Sequence, residues 1–157
     1  MSRVRHAVEA DIPELVRLRG LLFADLGAVW GAPPGGDGWR DHCAAELARA
    51  LAADAMRVLV VDGAGGLAAC GMGVIDQRLP GPYNPSGLIG HVFGVVTDPA
   101  YRGRGLARAV MEGLLGWFGD RGIRRVDLNA SPDGMPLYRG LGFDDHPDPT
   151  LSRHRPS

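Results

Sequence analysis

Val95-Val96-Thr97-Asp98-Pro99-Ala100-Tyr101-Arg102-Gly103-Arg104-Gly105-Leu106-Ala107 is the stretch from which the rest of the chain is read. Its first residues read as the end of a β-strand and its last as the opening of an amphipathic helix. Between them lies an Arg/Gly loop without a bulky apolar side chain. A strand that feeds a glycine loop and then a helix N-terminus is an anion cradle. Backbone N–H groups are unpaired there, the helix dipole favours negative charge, and glycine lets a phosphate approach the main chain. The loop therefore reads as a pyrophosphate site.

Upstream, residues 3–8 alternate as a short first strand. Asp11, Pro13 and Glu14 predict a capping box that opens a helix, with Leu15, Leu18, Leu22 and Leu26 on one face. From Gly27 to Gly38 the composition turns to Gly, Pro and Trp, which reads as a loop bracketed by Trp30 and Trp39. Those two tryptophans are either core anchors or the lining of a substrate pocket. A second helix is expected over Trp39–Ala53, then a hairpin from Met56–Asp62 and Leu67–Asp76. Gly71 and Gly73 weaken its second strand or let another element approach closely. The rigid loop Leu79–Gly87 leads into a central strand, Leu88–Thr97. Beyond the Arg/Gly loop come a helix over Arg104–Asp120, a strand at Arg124–Ala130, a short helix near Asp133–Arg139 and a last strand around Thr150–His154. The order βααβββαβαβ is a mixed α/β fold, with no internal repeat and no linker, so one domain over 1–157 is expected.

Bulk composition narrows the function classes. A length of 157 residues with 45% hydrophobic residues fits one globular core. Charge is nearly balanced, 17 basic against 18 acidic, which gives no electrostatic case for nucleic acid or an anionic membrane. Every one of the basic residues is arginine, so lysine Schiff-base chemistry and the P-loop lysine are both excluded. Cys43 and Cys70 lack CxxC spacing; a redox pair or a disulfide is open to them, and buried thiols are the expectation. The segment Met1–Ala10 has no apolar signal-peptide core and no run reaches membrane-span length, so a cytoplasmic location is expected. The histidines His6, His42, His146 and His154 show no metal-ligand spacing, and no metal is expected.

The Arg/Gly loop fails two common phosphate fingerprints. Gly103 and Gly105 supply the first two glycines of G-x-G-x-x-G, but the third position is Arg108. The GK[ST] of a Walker loop is absent. Instead, Arg102-x-x-Gly105-x-Ala107, preceded by Thr97-x-Pro99, resembles the acyl-CoA pyrophosphate loop of the GNAT N-acetyltransferase superfamily. About 30 residues on, the segment from Leu128 through Tyr138-Arg-Gly-Leu-Gly-Phe143 resembles that family's L-Y-x-x-L-G-F segment. The element order fits as well, so the resemblance covers essentially the whole chain and implies the GNAT acyltransferase-like fold, a central largely antiparallel sheet flanked by helices.

The resemblance also implies roles. Acetyl-CoA would be the cofactor, held by Arg102, Gly103, Arg104, Gly105, Leu106 and Ala107, with the Val95 N–H facing the acetyl oxygen and Val96 and Thr97 holding the pantetheine arm. Ser131 stands seven residues before Tyr138, where many members carry Asn, and its hydroxyl can still bond pantetheine. Tyr138 is the candidate general acid, because a phenol (reference pKa ~10) stays protonated beside a thiol (~8.5) at neutral pH. His91, read as sharing a strand face with Phe93 and Val95, is either the general base or a structural hydrogen-bonder. Trp30, Trp39, Tyr83 and Asn84 are the expected pocket residues for the amine acceptor, a small molecule or a peptide. No acidic cluster marks these loops, which disfavours a polycationic acceptor. The expected function is N-acetyl transfer by direct attack in a ternary complex. The competing class is a non-catalytic acyl-CoA-binding sensor, which would have no need of a proton donor at Tyr138. Oligomeric state is left open, a homodimer included.

Overall fold

The computed structural model describes residues 3–31 and 35–156. Its elements in order are β1 (Val4–His6), α1 (Ile12–Trp30), α2 (Trp39–Ala52), β2 (Arg57–Asp62), β3 (Leu67–Gln77), β4 (Leu88–Thr97), α3 (Leu106–Asp120), β5 (Val126–Leu128) and α4 (Met135–Gly140). The strands form one five-stranded sheet in sequence order. The pairs from β1 to β4 are antiparallel, and β5 joins β4 in parallel after the α3 crossover.

Alternation along the strands sends apolar side chains to both faces, and helices cover each. Leu15, Leu18 and Leu47 from α1 and α2 pack on Val58, Val60, Cys70, Met72 and Val96. On the other face α3 presents Leu106, Val110, Met111, Leu114 and Phe118, spaced as one helical stripe and all buried. Burying side chains of this size contributes roughly 1.5–3 kcal/mol each. The glycines of β3 answer the question their sequence posed, for α3 lies against them. A Cβ on Gly71 would stand 2.5 Å from Val110 Cγ1, and one on Gly73 would stand 2.9 Å from the Phe118 ring.

Four expectations are corrected. Helix α1 does not stop at Gly27 but runs to Trp30 and ends at Gly31, whose φ of 81° suits glycine and whose N–H bonds the Gly27 carbonyl at 2.9 Å. One interior glycine costs only about 1 kcal/mol of helix propensity, too little to end a packed helix. The Asp11–Glu14 capping box does not form. Asp11 instead accepts from the Val8 N–H at 2.8 Å and pairs with Arg5, while Glu14 pairs with Arg17 and accepts from the Leu67 N–H. The strand expected at Thr150–His154 is absent. Residues 144–156 are irregular and exposed, and Pro147 and Pro149 remove donors that a ladder needs. The strand expected at Arg124–Ala130 is shorter, Val126–Leu128. No helix among the described residues is long and apolar enough to cross a membrane.

Candidate active site

Strand β4 carries the irregularity on which the site is built. Cys70 pairs with Val96 and Met72 with Phe93, so Gly71 alone faces both Gly94 and Val95. This is a β-bulge, and Gly94 holds it with φ of 64°. The extra residue switches the side-chain parity of the strand. Phe93 packs with the α1/α2 face, whereas Val95 joins the α3 face beside Val110 and Leu114. The expectation that His91, Phe93 and Val95 share a face is therefore corrected. His91 stacks on Phe93 with ring centroids 6.0 Å apart, and Val95 turns to the opposite face.

The same bulge sets which main-chain groups are free. Val96 lies opposite Cys70, and the Asp98 N–H bonds the Ala68 carbonyl at 2.8 Å, so even-numbered residues here point their polar groups at β3. Val95 and Thr97 point theirs the other way. On that side β5 pairs with β4 only through Val92↔Leu128, so the two strands part beyond this point. An edge of unpaired N–H and C=O groups is left at Val95 and Thr97. Val96 does not belong to it, because its backbone is committed to β3.

That open edge runs into the Arg/Gly loop. Asp98 anchors the junction: it accepts from the Ala100 N–H at 2.9 Å and from Arg17 of α1 at 2.7 Å. The Arg17 guanidinium and the Ala100 N–H together hold its carboxyl below the usual range. Tyr101 accepts from the Ala64 N–H at 2.6 Å, and the Arg104 guanidinium stacks on its ring at 5.2 Å. Arg102 pairs with Asp25 of α1 at 2.9 Å. Gly103 and Gly105 have φ of 76° and 75°, with nothing within 4 Å of where a Cβ would stand. Gly105 is the N-cap of α3 and offers no side-chain cap. The first-turn N–H groups therefore point into open space, while buried Leu106 fixes the helix below and Ala107 follows it half-buried. A run of N–H groups at the mouth of a 15-residue helix, with two glycines bent in the left-handed region, fits a pyrophosphate.

Tyr138 sits in α4, beside the end of β5. It lines a groove of about 430 Å³ with Leu128, Asn129, Ala130 and Met135. Its ring meets Phe143 edge-on at 6.1 Å, and burial pushes its hydroxyl above the usual tyrosine range. No carboxylate or cation contributes to that shift. Ser131 precedes the short turn into α4, where its carbonyl accepts from Gly134 and Met135, and its hydroxyl makes no cap.

On the α1/α2 face lies a cleft of about 900 Å³. Its apolar walls come from Phe23, Trp30, Trp39, Leu47, Met72 and Phe93, and Arg19, His42 and Glu46 reach it. Both tryptophans named from sequence line this one cleft. Tyr83 and Asn84 do not. Tyr83 is fully exposed, and Asn84 is spent on its own loop, donating to the Leu88 carbonyl at 3.0 Å. The residues sequence reading missed are Gly94, Arg19, Phe23 and Met72. Arg19 and Phe23 stand four apart on α1, beside the leucine stripe, and that spacing was the available signal. Among the described residues no three His, Cys, Asp or Glu side chains gather as a metal site.

Comparison with known proteins matches residues 20–143 to the family model described as the acetyltransferase (GNAT) family. A rice (Oryza sativa subsp. japonica) glucosamine 6-phosphate N-acetyltransferase 1 is 37% identical over 99 residues, which is 62% of this chain and 58% of the relative. The Trypanosoma brucei brucei glucosamine 6-phosphate N-acetyltransferase is 40% identical over 58 residues, 37% of this chain and 40% of the relative. These alignments thus span less than two thirds of the length of the curated relatives. Among solved structures, a predicted acetyltransferase from Clostridium acetobutylicum with acetyl-CoA superposes with a TM-score of 0.85 at 24% identity, covering 98% of this chain and 96% of that one. Glucosamine-6-phosphate N-acetyltransferase from Arabidopsis thaliana superposes with a TM-score of 0.76 at 20% identity, covering 98% of both chains. At such identities the superpositions establish the shared fold.

Proposed function

This chain belongs to the GNAT acetyltransferase family, and on that premise we propose that it transfers an acetyl group from acetyl-CoA to a primary amine in a ternary complex. The observation that carries this reading is the parting of β4 and β5 beyond Val92, which frees the Val95 and Thr97 main chain in line with the Gly103/Gly105 cradle. Acetyl-CoA supplies an activated thioester carbonyl. The α3 N-terminus and the loop from Arg102 to Ala107 bind its pyrophosphate, and Thr97 hydrogen-bonds the pantetheine arm along the open edge. The Val95 N–H donates to the acetyl oxygen, where negative charge grows as the amine attacks. That donor is preorganised, because the Gly94 bulge aims it before any ligand arrives.

The amine comes from the α1/α2 cleft, whose floor includes Phe93. His91 stacks on Phe93 on the same face, and it takes the ammonium proton directly or through water. The amine nitrogen then bonds to the acetyl carbon and loses its second proton to water, the carbon–sulfur bond breaks, and Tyr138 gives its proton to the leaving thiolate and regains one from water. Burial favours the protonated phenol, which suits that role. Thiol release with acetyl-CoA and a broad amine panel tests the reading. Amine-dependent release is expected, with kcat lowered on the order of 10²-fold in Tyr138→Phe and the acetyl-CoA KM little changed. Acetyl-CoA binding without any amine-stimulated release would overturn it in favour of a cofactor-sensing module.

A further inference from the structure

The acceptor cleft contains a cation that its one carboxylate among the described residues, Glu46, does not pair, because Glu46 is held by Arg49. Arg19 projects from α1 into the apolar cleft, with its guanidinium 5.0 Å from the centre of the Phe23 ring. Of the acidic side chains of α1 and α2, Glu14 pairs with Arg17, Asp25 with Arg102 and Glu46 with Arg49, while Asp41 is in no ion pair among the described residues and does not line the cleft. Among the described residues no carboxylate lies within ion-pair distance of Arg19. An arginine beside aromatic and thioether walls is poorly solvated, so a bidentate anion is held there more strongly than at an open surface.

Its position specifies where that anion must be. Arg19 Nη1 stands 3.6 Å from the point a Cβ on Gly94 would occupy, and Gly94 immediately precedes the proposed oxyanion donor, Val95. An amine placed to attack there would carry its negative group only a few atoms away. A carboxylate on the carbon that bears the amine satisfies this. A phosphate across a hexose ring does not, and apart from His42 and Glu46 the walls, Phe23, Trp30, Trp39 and Met72 among them, offer few partners for sugar hydroxyls. We propose that the acceptor is an α-amino acid with an aromatic or long apolar side chain, its carboxylate bound by Arg19 and its side chain by the tryptophan-lined walls. This inference rests on the acetyltransferase reading and narrows it.

The test compares L-phenylalanine, L-phenylalaninamide and glucosamine 6-phosphate as acceptors for wild type, Arg19→Leu and Arg19→Lys. Phenylalaninamide keeps the shape and has the more readily deprotonated amine, so a preference for the free acid reports the carboxylate contact. The wild type should favour L-phenylalanine over its amide by about 10-fold or more in kcat/KM, expressed in KM. Arg19→Leu should bring that ratio close to one by lowering kcat/KM for the free acid far more than for the amide, and Arg19→Lys should restore part of it. Equal use of acid and amide, preference for glucosamine 6-phosphate, or an equal loss on all acceptors in Arg19→Leu would overturn the inference while amine acetylation itself stood. Calorimetric acetyl-CoA binding with no turnover of any amine would instead remove the acetyltransferase reading, and this inference with it.

Discussion

Tyr138 and Cys70 have both been shifted by burial, with different consequences. The Tyr138 phenol is raised above its usual range, so it remains a proton donor throughout the range in which an amine acceptor is active. The kcat profile should accordingly show no alkaline fall from loss of this acid below about pH 10. A fall near neutrality that disappears in Tyr138→Phe would contradict the assignment. Cys70 is buried among apolar side chains, donates to the Gly94 carbonyl at 3.4 Å, and has its thiol pushed up to about 12. Cys43 lines the acceptor cleft and is partly exposed. Mass spectrometry after N-ethylmaleimide treatment of the folded protein should find one adduct, at Cys43, and a bound acceptor should slow its formation. At this scale sequence singled out Tyr138, the proposed acid, because the residue lies in a motif whose order and spacing are visible. It also named Tyr83 and Asn84 as pocket residues, and neither lines the cleft. Both have pocket chemistry, but one points to solvent and the other holds its own turn, and composition does not distinguish those fates.

Strand β4 and helix α3 divide the work between them. The boundaries of β4 were legible, because its apolar run is bounded by the proline-rich loop before it and the Arg/Gly loop after it. The bulge inside it was not. A glycine in a strand signals a bulge or a close approach, and only the register with β3 reveals that Gly94 makes one while Gly71 and Gly73 make the other. The face assigned to Val95 was wrong for that reason, since a period of two holds only while the ladder is regular. Two substitutions separate packing from cofactor binding. Gly71→Ala drives a methyl into Val110 and should cost about 1–3 kcal/mol in chemical denaturation, with little direct effect on acetyl-CoA affinity. Gly105→Ala meets no neighbour, but it puts a side chain at φ of 75°, where strain is roughly 1–2 kcal/mol. Its signature should be weaker acetyl-CoA binding by calorimetry as the cradle relaxes, together with a Tm lowered by several degrees.

Over the whole molecule, the proposed function gives the two faces of the sheet separate tasks. Helix α3 covers one face and opens the phosphate cradle, while α1 and α2 cover the other and wall the acceptor cleft. Arginine–carboxylate links fasten the α1 side to the sheet: Arg5 of β1 to Asp11 and Asp62, and Arg17 of α1 to Glu14 and Asp98. Arg5 and Arg17 hold those carboxyls below their usual range. Their stabilisation is therefore complete above about pH 4, where the unfolded chain's carboxylates are ionised, and is lost as pH falls through the lower folded-state values. A Tm series should decline steeply below pH 4, and Asp98→Asn should flatten part of that decline. The α/β order was legible because strands and helices differ in period and are separated by glycine and proline. The links from Arg5 to Asp62 and from Arg17 to Asp98 were not, since their partners lie far apart in sequence, and neither was the irregular tail beyond Phe143. The central claim is that one continuous main-chain surface, from the β4 edge to the α3 N-terminus, receives acetyl-CoA. Amide-resolved NMR during an acetyl-CoA titration addresses it most directly. The largest shifts should fall on Val95, Thr97 and the N–H groups of Gly103, Arg104, Gly105 and Leu106, with Val96 moving less because it bonds β3. Shifts centred on the Phe23–Trp39 cleft, with the Gly103–Gly105 amides unmoved, would contradict it.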